Sequence, residues 1–341
     1  GSSRSIEAVP NIELEGKTYA VVAGESVLSC LERNGVMLPA SCRSGVCQAC
    51  IVRAERGSVH DKACGSLKDT QRAQGYFLSC VCYPEEDLGL VRANVAERQF
   101  PATIHSIDVL NATILRVRLG CEVAPDYFPG QFMNFVRPGG LVRSFSVASV
   151  PTLFEHLEFH VALVPNGQMS GWIHHEAKPG DTLGLMGPLG DCFYVGGNPT
   201  QAMFLLGTGT GTGLAPLYGI ARDALQQGHT GDIHLFHGSL QREGLYLVEE
   251  LRALSMQHNN FSYHPCALNG PADDAVAVGS IDVIAKETIP DLGGWRVFLC
   301  GDPNLVKATQ QQCFLAGASL KEIQADAFLP AGGVTKDTPG I

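Results

Sequence analysis

Long apolar runs are missing from this sequence. None approaches the ~18–20 residues a membrane-crossing helix requires, and the opening stretch GSSRSIEAVP lacks the charged-then-apolar pattern of a secretion signal. A cytoplasmic protein without membrane contact is the expectation, with Gly1–Ser3 read as a cloning scar outside the fold. Aromatic residues are scarce at 7%, and charged residues make up only 17%. No stretch holds five like charges, and 24 Lys and Arg against 34 Asp and Glu leave a net charge of −10, which argues against a nucleic-acid partner. Internal repeats and low-complexity tracts are also absent.

Cysteine, by contrast, is plentiful. Seven of the 12 (Cys30, Cys42, Cys47, Cys50, Cys64, Cys80 and Cys82) fall in the first 82 residues. A disulfide framework suits short secreted chains, and this chain of 341 residues carries no secretion signal, so metal ligation is the leading reading. At ~100–200 residues per domain the length predicts two or three domains.

The texture changes along the chain. Ile12–Ala23 reads as a hairpin turning at Glu15–Lys17, Glu25–Gly35 as a helix, and Cys50–Arg53 and Phe77–Cys82 as strands. The polar stretch Arg92–Pro101 marks a boundary. Beyond it, Thr103–Val109, Thr113–Leu119, Gln131–Arg137, Val142–Ala148, Leu157–Val164 and Asp181–Met186 predict an antiparallel barrel, with a short helix at Met169–Glu176. From Gln201 strand and helix alternate, which predicts a doubly wound parallel sheet with ligands beyond the carboxyl ends of its strands.

Cys42-x4-Cys47-x2-Cys50, followed after 29 intervening residues by Cys80, has the plant-type [2Fe–2S] spacing. Three close cysteines can wrap one side of a cluster while a distant one supplies the last thiolate. Gly45 and the small residues Ser41, Ser44 and Ala49 let backbone N–H groups turn toward the sulfurs. A four-cysteine zinc site is the alternative, although zinc sites usually come as two short pairs. Cys82 is a rival fourth ligand, because on a strand it shares a face with Cys80. CRSGVCQAC with GYFLSCVCYP resembles the ferredoxin domain fused to bacterial oxygenase reductases, and Gly75, Leu78, Cys80 and Pro84 fit its G-x-x-L-x-C-x-x-x-P frame.

Arg143-Ser144-Phe145-Ser146 resembles the R-x-[YF]-S signature of the ferredoxin–NADP reductase superfamily. An Arg fork can neutralise a flavin pyrophosphate, an aromatic can cover the ring or ribityl chain, and the last Ser can approach flavin N5. Gly167, Met169 and Ser170 lie in a G-x-x-[ST] element opening the short helix, where free N–H groups and a capping hydroxyl suit a diphosphate. PGD at Pro179–Asp181 and GPLGDCF at Gly187–Phe193 are also typical of that superfamily. FAD is favoured over FMN, since FMN members tend to carry the ferredoxin domain at the other end.

Gly209, Thr210, Gly211, Thr212, Gly213 and Pro216 form a loop between strand and helix that resembles the superfamily's nicotinamide-nucleotide loop. Cys300, Gly301, Asp302 and Pro303 resemble its C-G-x-P element, whose Cys lies against the nicotinamide. Asp326-Ala327-Phe328 resembles the acidic-x-aromatic element beside the flavin, with Phe328 the ring that stacks on the isoalloxazine. The loop GSLQREGLY has Leu240 where NADP-binding relatives carry an Arg, with Arg242 close by, so NADH is favoured and NADPH remains possible.

The resemblance implies three domains in order: a β-grasp [2Fe–2S] ferredoxin domain over 5–97, an FAD-binding antiparallel β-barrel over 98–199 and a doubly wound α/β NAD(P)-binding domain over 200–331. It further implies an NADH-dependent oxidoreductase. Hydride arrives as two electrons and a [2Fe–2S] centre accepts one, so a flavin must stand between them. Ser146, Cys300 and Phe328 are the expected positioning groups at the reacting atoms. The expected partner is a terminal aromatic-ring or alkane oxygenase, docking near Arg43, Ser44 and Val46. A biosynthetic acceptor such as a deoxysugar dehydrase, or a redox-sensing binding protein, are the alternatives.

Overall fold

The structure is a computed structural model and describes residues 9–93, 99–123, 125–207 and 212–328. The chain forms two compact units, 1–96 and 97–341.

In the first unit β1 (Asn11–Leu14) and β2 (Lys17–Ala20) make a hairpin. Its two turn residues, Glu15 and Gly16, both take positive φ, as a tight turn between twisted strands requires. Helix α1 (Val27–Arg33) starts at Ser26, whose Oγ accepts the Ser29 N–H at 3.1 Å, and it buries Val27, Leu28 and Leu31. Then come β3 (Ile51–Arg56), α2 (Asp69–Ala73), β4 (Tyr76–Leu78) and β5 (Leu88–Arg92). The sheet order is β2-β1-β5-β3-β4, with β1 and β5 parallel, and α1 packs with it around Ile12, Leu14, Phe77 and Leu88. One expectation fails here. The strand foreseen through Cys82 stops at Leu78, and Ser79–Val81 forms a 3-10 turn.

The second unit opens with β6 (Gln99–Val109), β7 (Ile114–Gly120), β8 (Phe132–Arg137), β9 (Leu141–Ser146), β10 (Leu157–Ala162), α3 (Gln168–His175) and β11 (Thr182–Leu189). Six antiparallel strands in the order β10-β7-β6-β11-β8-β9 are closed by a bridge between Val147 and Phe159, giving the expected barrel. Its core alternates along the strands, as in Val117 and Leu119 of β7 and Met133 and Phe135 of β8.

The rest of the unit alternates β12 (Met203–Gly207), α4 (Leu214–Gln226), β13 (Ile233–Ser239), α5 (Val248–Gln257), β14 (Phe261–Ala267), β15 (Ala277–Val278), α6 (Ile281–Thr288), β16 (Arg296–Gly301), α7 (Pro303–Leu315) and β17 (Ile323–Ala327). All six strands run parallel, in the order β15-β14-β13-β12-β16-β17, so the strand order reverses between β12 and β16. Ligands bind at such a reversal, beyond the carboxyl ends of the strands. Helix α6 escapes the sequence reading because its eight residues carry just two apolar turns.

Candidate functional sites for cluster, flavin and nucleotide

The cysteine loop of the first unit is built from backbone that few residues tolerate. Arg43, Gly45 and Gln48 all have positive φ, which turns successive N–H groups inward. Ser44 and Cys47 donate their N–H groups to Cys42 Sγ at 3.4 and 3.3 Å, and Cys42 N–H points to Cys47 Sγ at 3.5 Å. Hydrogen bonds from Ser44, first its side chain and then the loop N–H groups, pull the Cys42 thiol down to about 5, so it is a thiolate at neutral pH. Such donors fit an anionic cluster, whose sulfurs need stabilisation.

Cys42 and Cys47 are exposed, whereas Cys50 and Cys80 are buried beneath them. Burial, followed by its hydrogen bond with Cys50, holds the Cys80 thiol up at about 11, and the same thiol senses Cys42. Among the described residues no three His, Cys, Asp or Glu side chains close around a single ion point. Cys82 is placed differently. The 3-10 turn at Ser79–Val81 rotates it into the core, where it is 2% exposed, burial lifts its thiol to about 12, and the buried thiol of Cys64 lies beside it. The reading that Cys82 shares a face with Cys80 therefore fails, because the intervening backbone is not a strand.

In the second unit the strand β9 carries Arg143, Ser144, Phe145 and Ser146. Arg143 is half-buried and donates to the Val142 carbonyl, Ser144 is exposed and donates to Asn134 Oδ1, and Phe145 rests tilted on Phe135 at 4.5 Å. Ser146, at the buried end, donates to Asp326 Oδ2 at 3.4 Å. Gly167 is the N-cap of α3, so the cap is a glycine and the expected capping hydroxyl has another task. Ser170 Oγ instead accepts the Val164 N–H at 3.1 Å, folding the preceding loop against the helix. A Cβ on Gly167 would stand 2.5 Å from that hydroxyl, so the free end of α3 demands glycine. Met169 is a core residue, so its side chain is buried away from the N-terminus of α3.

The nucleotide elements converge on the same place. Gly209, Thr210 and Gly211 lie outside the described residues. Thr212 accepts the Ala215 N–H, Gly213 caps α4, and Pro216 sits buried in its first turn. A Cβ on Gly207 would come within 2.8 Å of the Gly213 carbonyl, so the strand end and the loop approach as closely as glycine permits. Cys300 lies at the end of β16, paired in register with Asp326 of β17, and its Sγ is 3.9 Å from that of Cys192. Burial, then the Cys192 contact, raises the Cys300 thiol well above its usual value, so it is a neutral group.

Gly301 has positive φ, while Asp302 caps α7 by accepting the Asn304 and Leu305 N–H groups, with Pro303 in the first turn. The Asp-Pro half of the CGDP segment thus has a local structural cause. Asp326 lies within β17 rather than after it, and half-buried Phe328 donates its N–H to the Gly301 carbonyl at 2.7 Å. Desolvation, together with nearby Asp191, lifts the Asp326 carboxyl to about 6 against the opposing Ser146 bond.

Ser146 of the barrel and Cys300 of the parallel sheet are thereby joined through Asp326. Three family models match the chain in the same order: 2Fe-2S iron-sulfur cluster binding domain over 11–85, oxidoreductase FAD-binding domain over 103–194 and oxidoreductase NAD-binding domain over 208–311. The ferredoxin–NAD(P)+ reductase component of the naphthalene 1,2-dioxygenase system of Pseudomonas putida is 31% identical over 319 residues, covering 91% of this chain and 95% of that protein. The chain belongs to the ferredoxin–NAD(P)+ reductase family of oxygenase reductase components.

Other members are similar along most of their length. The phenol 2-monooxygenase reductase component of Pseudomonas sp. (strain CF600) is 31% identical, with 87% of each chain covered. Among solved structures, an Amycolatopsis cytochrome P450 reductase shares 29% identity at a TM-score of 0.66, with 94% of this chain and 99% of that one covered. The ferredoxin reductase of carbazole 1,9a-dioxygenase, at 23% identity and a TM-score of 0.62, shares the fold. This family member is an oxidoreductase with [2Fe–2S], FAD-binding and NAD-binding domains. No helix among the described residues is long and apolar enough to cross a membrane.

Proposed function

We propose that this chain oxidises NADH in the cytoplasm and passes the electrons, through FAD and a [2Fe–2S] centre, to a separate oxygenase or hydroxylase. The observation that carries this reading is the meeting of Ser146, Asp326 and Cys300, which joins the end of a flavin-type barrel strand to the carboxyl edge of a nucleotide-type sheet. The domain limits that go with this proposal are 5–97, 98–199 and 200–331.

When bound, the flavin supplies the change from two-electron hydride chemistry to the one-electron chemistry of the cluster. The chain's own residues do the positioning. The Arg143 guanidinium and the free N–H groups of α3 behind Gly167 offer positive charge to a diphosphate, while Phe145 contributes an aromatic face. Ser146 presents a hydroxyl and Cys300 a neutral thiol to the reacting atoms, and both are small enough to let two planar rings approach. Asp326, its carboxyl lifted to about 6, is mostly ionised at neutral pH and accepts the hydrogen bond from Ser146 Oγ. Phe328 closes the edge of the site. Cys42, Cys47, Cys50 and Cys80 would hold the two irons, and the N–H groups of Ser44 and Cys47 would steady the Cys42 sulfur.

Anaerobic titration of the purified full chain with NADH, followed by absorption and electron paramagnetic resonance, tests the whole sequence of carriers. Bleaching of the flavin bands followed by a reduced iron–sulfur signal is expected. Full flavin reduction with no cluster signal would sink the three-cofactor reading.

A further inference from the structure

The carboxyl edge of β13 and β14 bears a feature that the hydride site does not use. β13 lies on the opposite side of β12 from β16, so a dinucleotide with its diphosphate at the loop after β12 and its nicotinamide at Cys300 extends its adenosine over β13 and β14. There the two strand ends stay paired beyond the sheet: Leu268 N–H donates to the Ser239 carbonyl at 2.9 Å, and Asn269 N–H to that of Leu240 at 3.0 Å. Leu240 and Leu268 stand 55% and 46% exposed, an apolar shelf at the position an adenine ring would take.

Beside that shelf Arg242 donates Nη2 to Asp273 Oδ2 at 2.5 Å. Asp273 is itself fixed, because its Oδ1 accepts the N–H groups of Ala275 and Val276, both at 2.9 Å. Three hydrogen bonds, that from Arg242 the strongest, hold its carboxyl down at about 2, so it stays ionised under any working condition. Arg242 is the sole cation of the segment, against Glu243, Asp273 and Asp274.

We propose that Asp273 makes this enzyme selective for NADH over NADPH, by pinning the Arg242 guanidinium and by placing a fixed negative charge where a 2′-phosphate would sit. A guanidinium already spent on a carboxylate offers a phosphate little, and the carboxylate left beside it repels one. The inference rests on the reading of the parallel sheet as the nucleotide site and goes beyond it by naming the residues that choose between the two nucleotides.

The test is steady-state ferricyanide reduction by the FAD-loaded full chain with NADH and with NADPH, compared as the ratio of kcat/KM values. Asp273→Asn keeps an oxygen for the Ala275 and Val276 N–H groups, so the turn survives while the charge goes. The wild-type NADPH/NADH ratio should lie well below one, and Asp273→Asn should raise it about tenfold, the effect of one new charge-assisted hydrogen bond to the phosphate. Arg242→Gln should move the ratio the other way, because it bares Asp273, and the double variant should lose the increase. Opposite movements cannot both come from misfolding. A ratio unmoved by Asp273→Asn, or an increase that persists without Arg242, overturns the inference alone. Wild-type protein inactive with both nucleotides overturns the functional reading beneath it.

Discussion

Asp326→Asn should make the flavin-free protein more stable, and the gain should grow with pH. The Asp326 carboxyl titrates at about 6 in the folded protein against 3.8 for the free side chain, mainly because the site where Ser146 and Cys300 meet strips it of water. Below ~3.8 both folded and unfolded chains are protonated and the group is neutral in the balance. As pH rises from ~3.8 to ~6 the unfolded chain releases its proton while the folded chain keeps it, so stability falls; above ~6 the penalty is constant. The gap between 3.8 and about 6 corresponds to about 3 kcal/mol at neutral pH and roughly half of that at pH 5.

Asp326 keeps partial solvent access, which makes about 3 kcal/mol an upper limit. The assay follows thermal unfolding of the full chain by tryptophan fluorescence, because both tryptophans, Trp172 and Trp295, belong to the second unit and report on it alone. At roughly 2–4 °C per kcal/mol for a unit of this size, Asp326→Asn should raise Tm by about 5–10 °C at pH 7.5, about half as much at pH 5, and hardly at all near pH 3.8. An equal gain at pH 5 and 7.5 would mean that packing rather than ionisation was at stake. No gain at either would refute the buried-carboxyl argument outright.

Three further outcomes can be checked on the same purified protein. Cys80→Ser should remove the iron–sulfur absorption while leaving the flavin bands, whereas Cys82→Ser should keep both, since Cys82 lies in the core beside Cys64; the reverse pattern would exchange their roles. Gly207→Ala places a Cβ 2.8 Å from the Gly213 carbonyl, so it should cost about 1–3 kcal/mol and raise the KM for NADH, read by urea unfolding and steady-state kinetics. Glu158, held below its ordinary value by His160 and by Arg116 and Arg118 despite burial, stabilises the fold above ~4.5 and loses that contribution as pH falls through its lowered folded value. Glu158→Gln should therefore cost about 1–3 kcal/mol at pH 7, with the difference from wild type shrinking in acid denaturation below pH ~4.5.

What could be read from the chain was whatever is contiguous. The three-cysteine loop Cys42–Cys50, the RSFS strand, the helix behind Gly167 and the CGDP turn each gather their meaning within a dozen residues, because a loop wrapped on a sulfur or a helix end facing a phosphate needs neighbours in sequence. Cys82 shows the limit. Its two-residue offset from Cys80 implied a shared face, and only the 3-10 turn at Ser79–Val81 reveals that the offset is not that of a strand. Arg242 and Asp273, separated by 31 residues, form their pair only because β13 and β14 are adjacent. Parallel neighbours are joined through a helix, so nothing local marks their ends as partners.

The same limit applies to how the barrel meets the nucleotide sheet. Along β10 the residues Leu157, Phe159 and Val161 point into the barrel core, which puts Glu158 and His160 on its outer face. In an isolated barrel that face would be wet and its polarity unremarked. Here it is buried: His160 Nε2 bonds Glu158 Oε2 at 2.9 Å, and Nδ1 reaches the Tyr246 hydroxyl at 3.0 Å on the nucleotide side. Helix α4 supplies the rest of the contact through its glycine and its aliphatic face. A Cβ at Gly219 would lie 3.2 Å from the carbonyls of Val147 and Ala148, just past Ser146, and one at Gly130 would lie 2.7 Å from Ile220. The helix that begins at the Gly/Thr loop therefore rests directly on the chain leaving the Ser146 strand. Gly219 and Ile220 thus set how closely α4 approaches the chain around the Ser146 strand, through packing on its backbone.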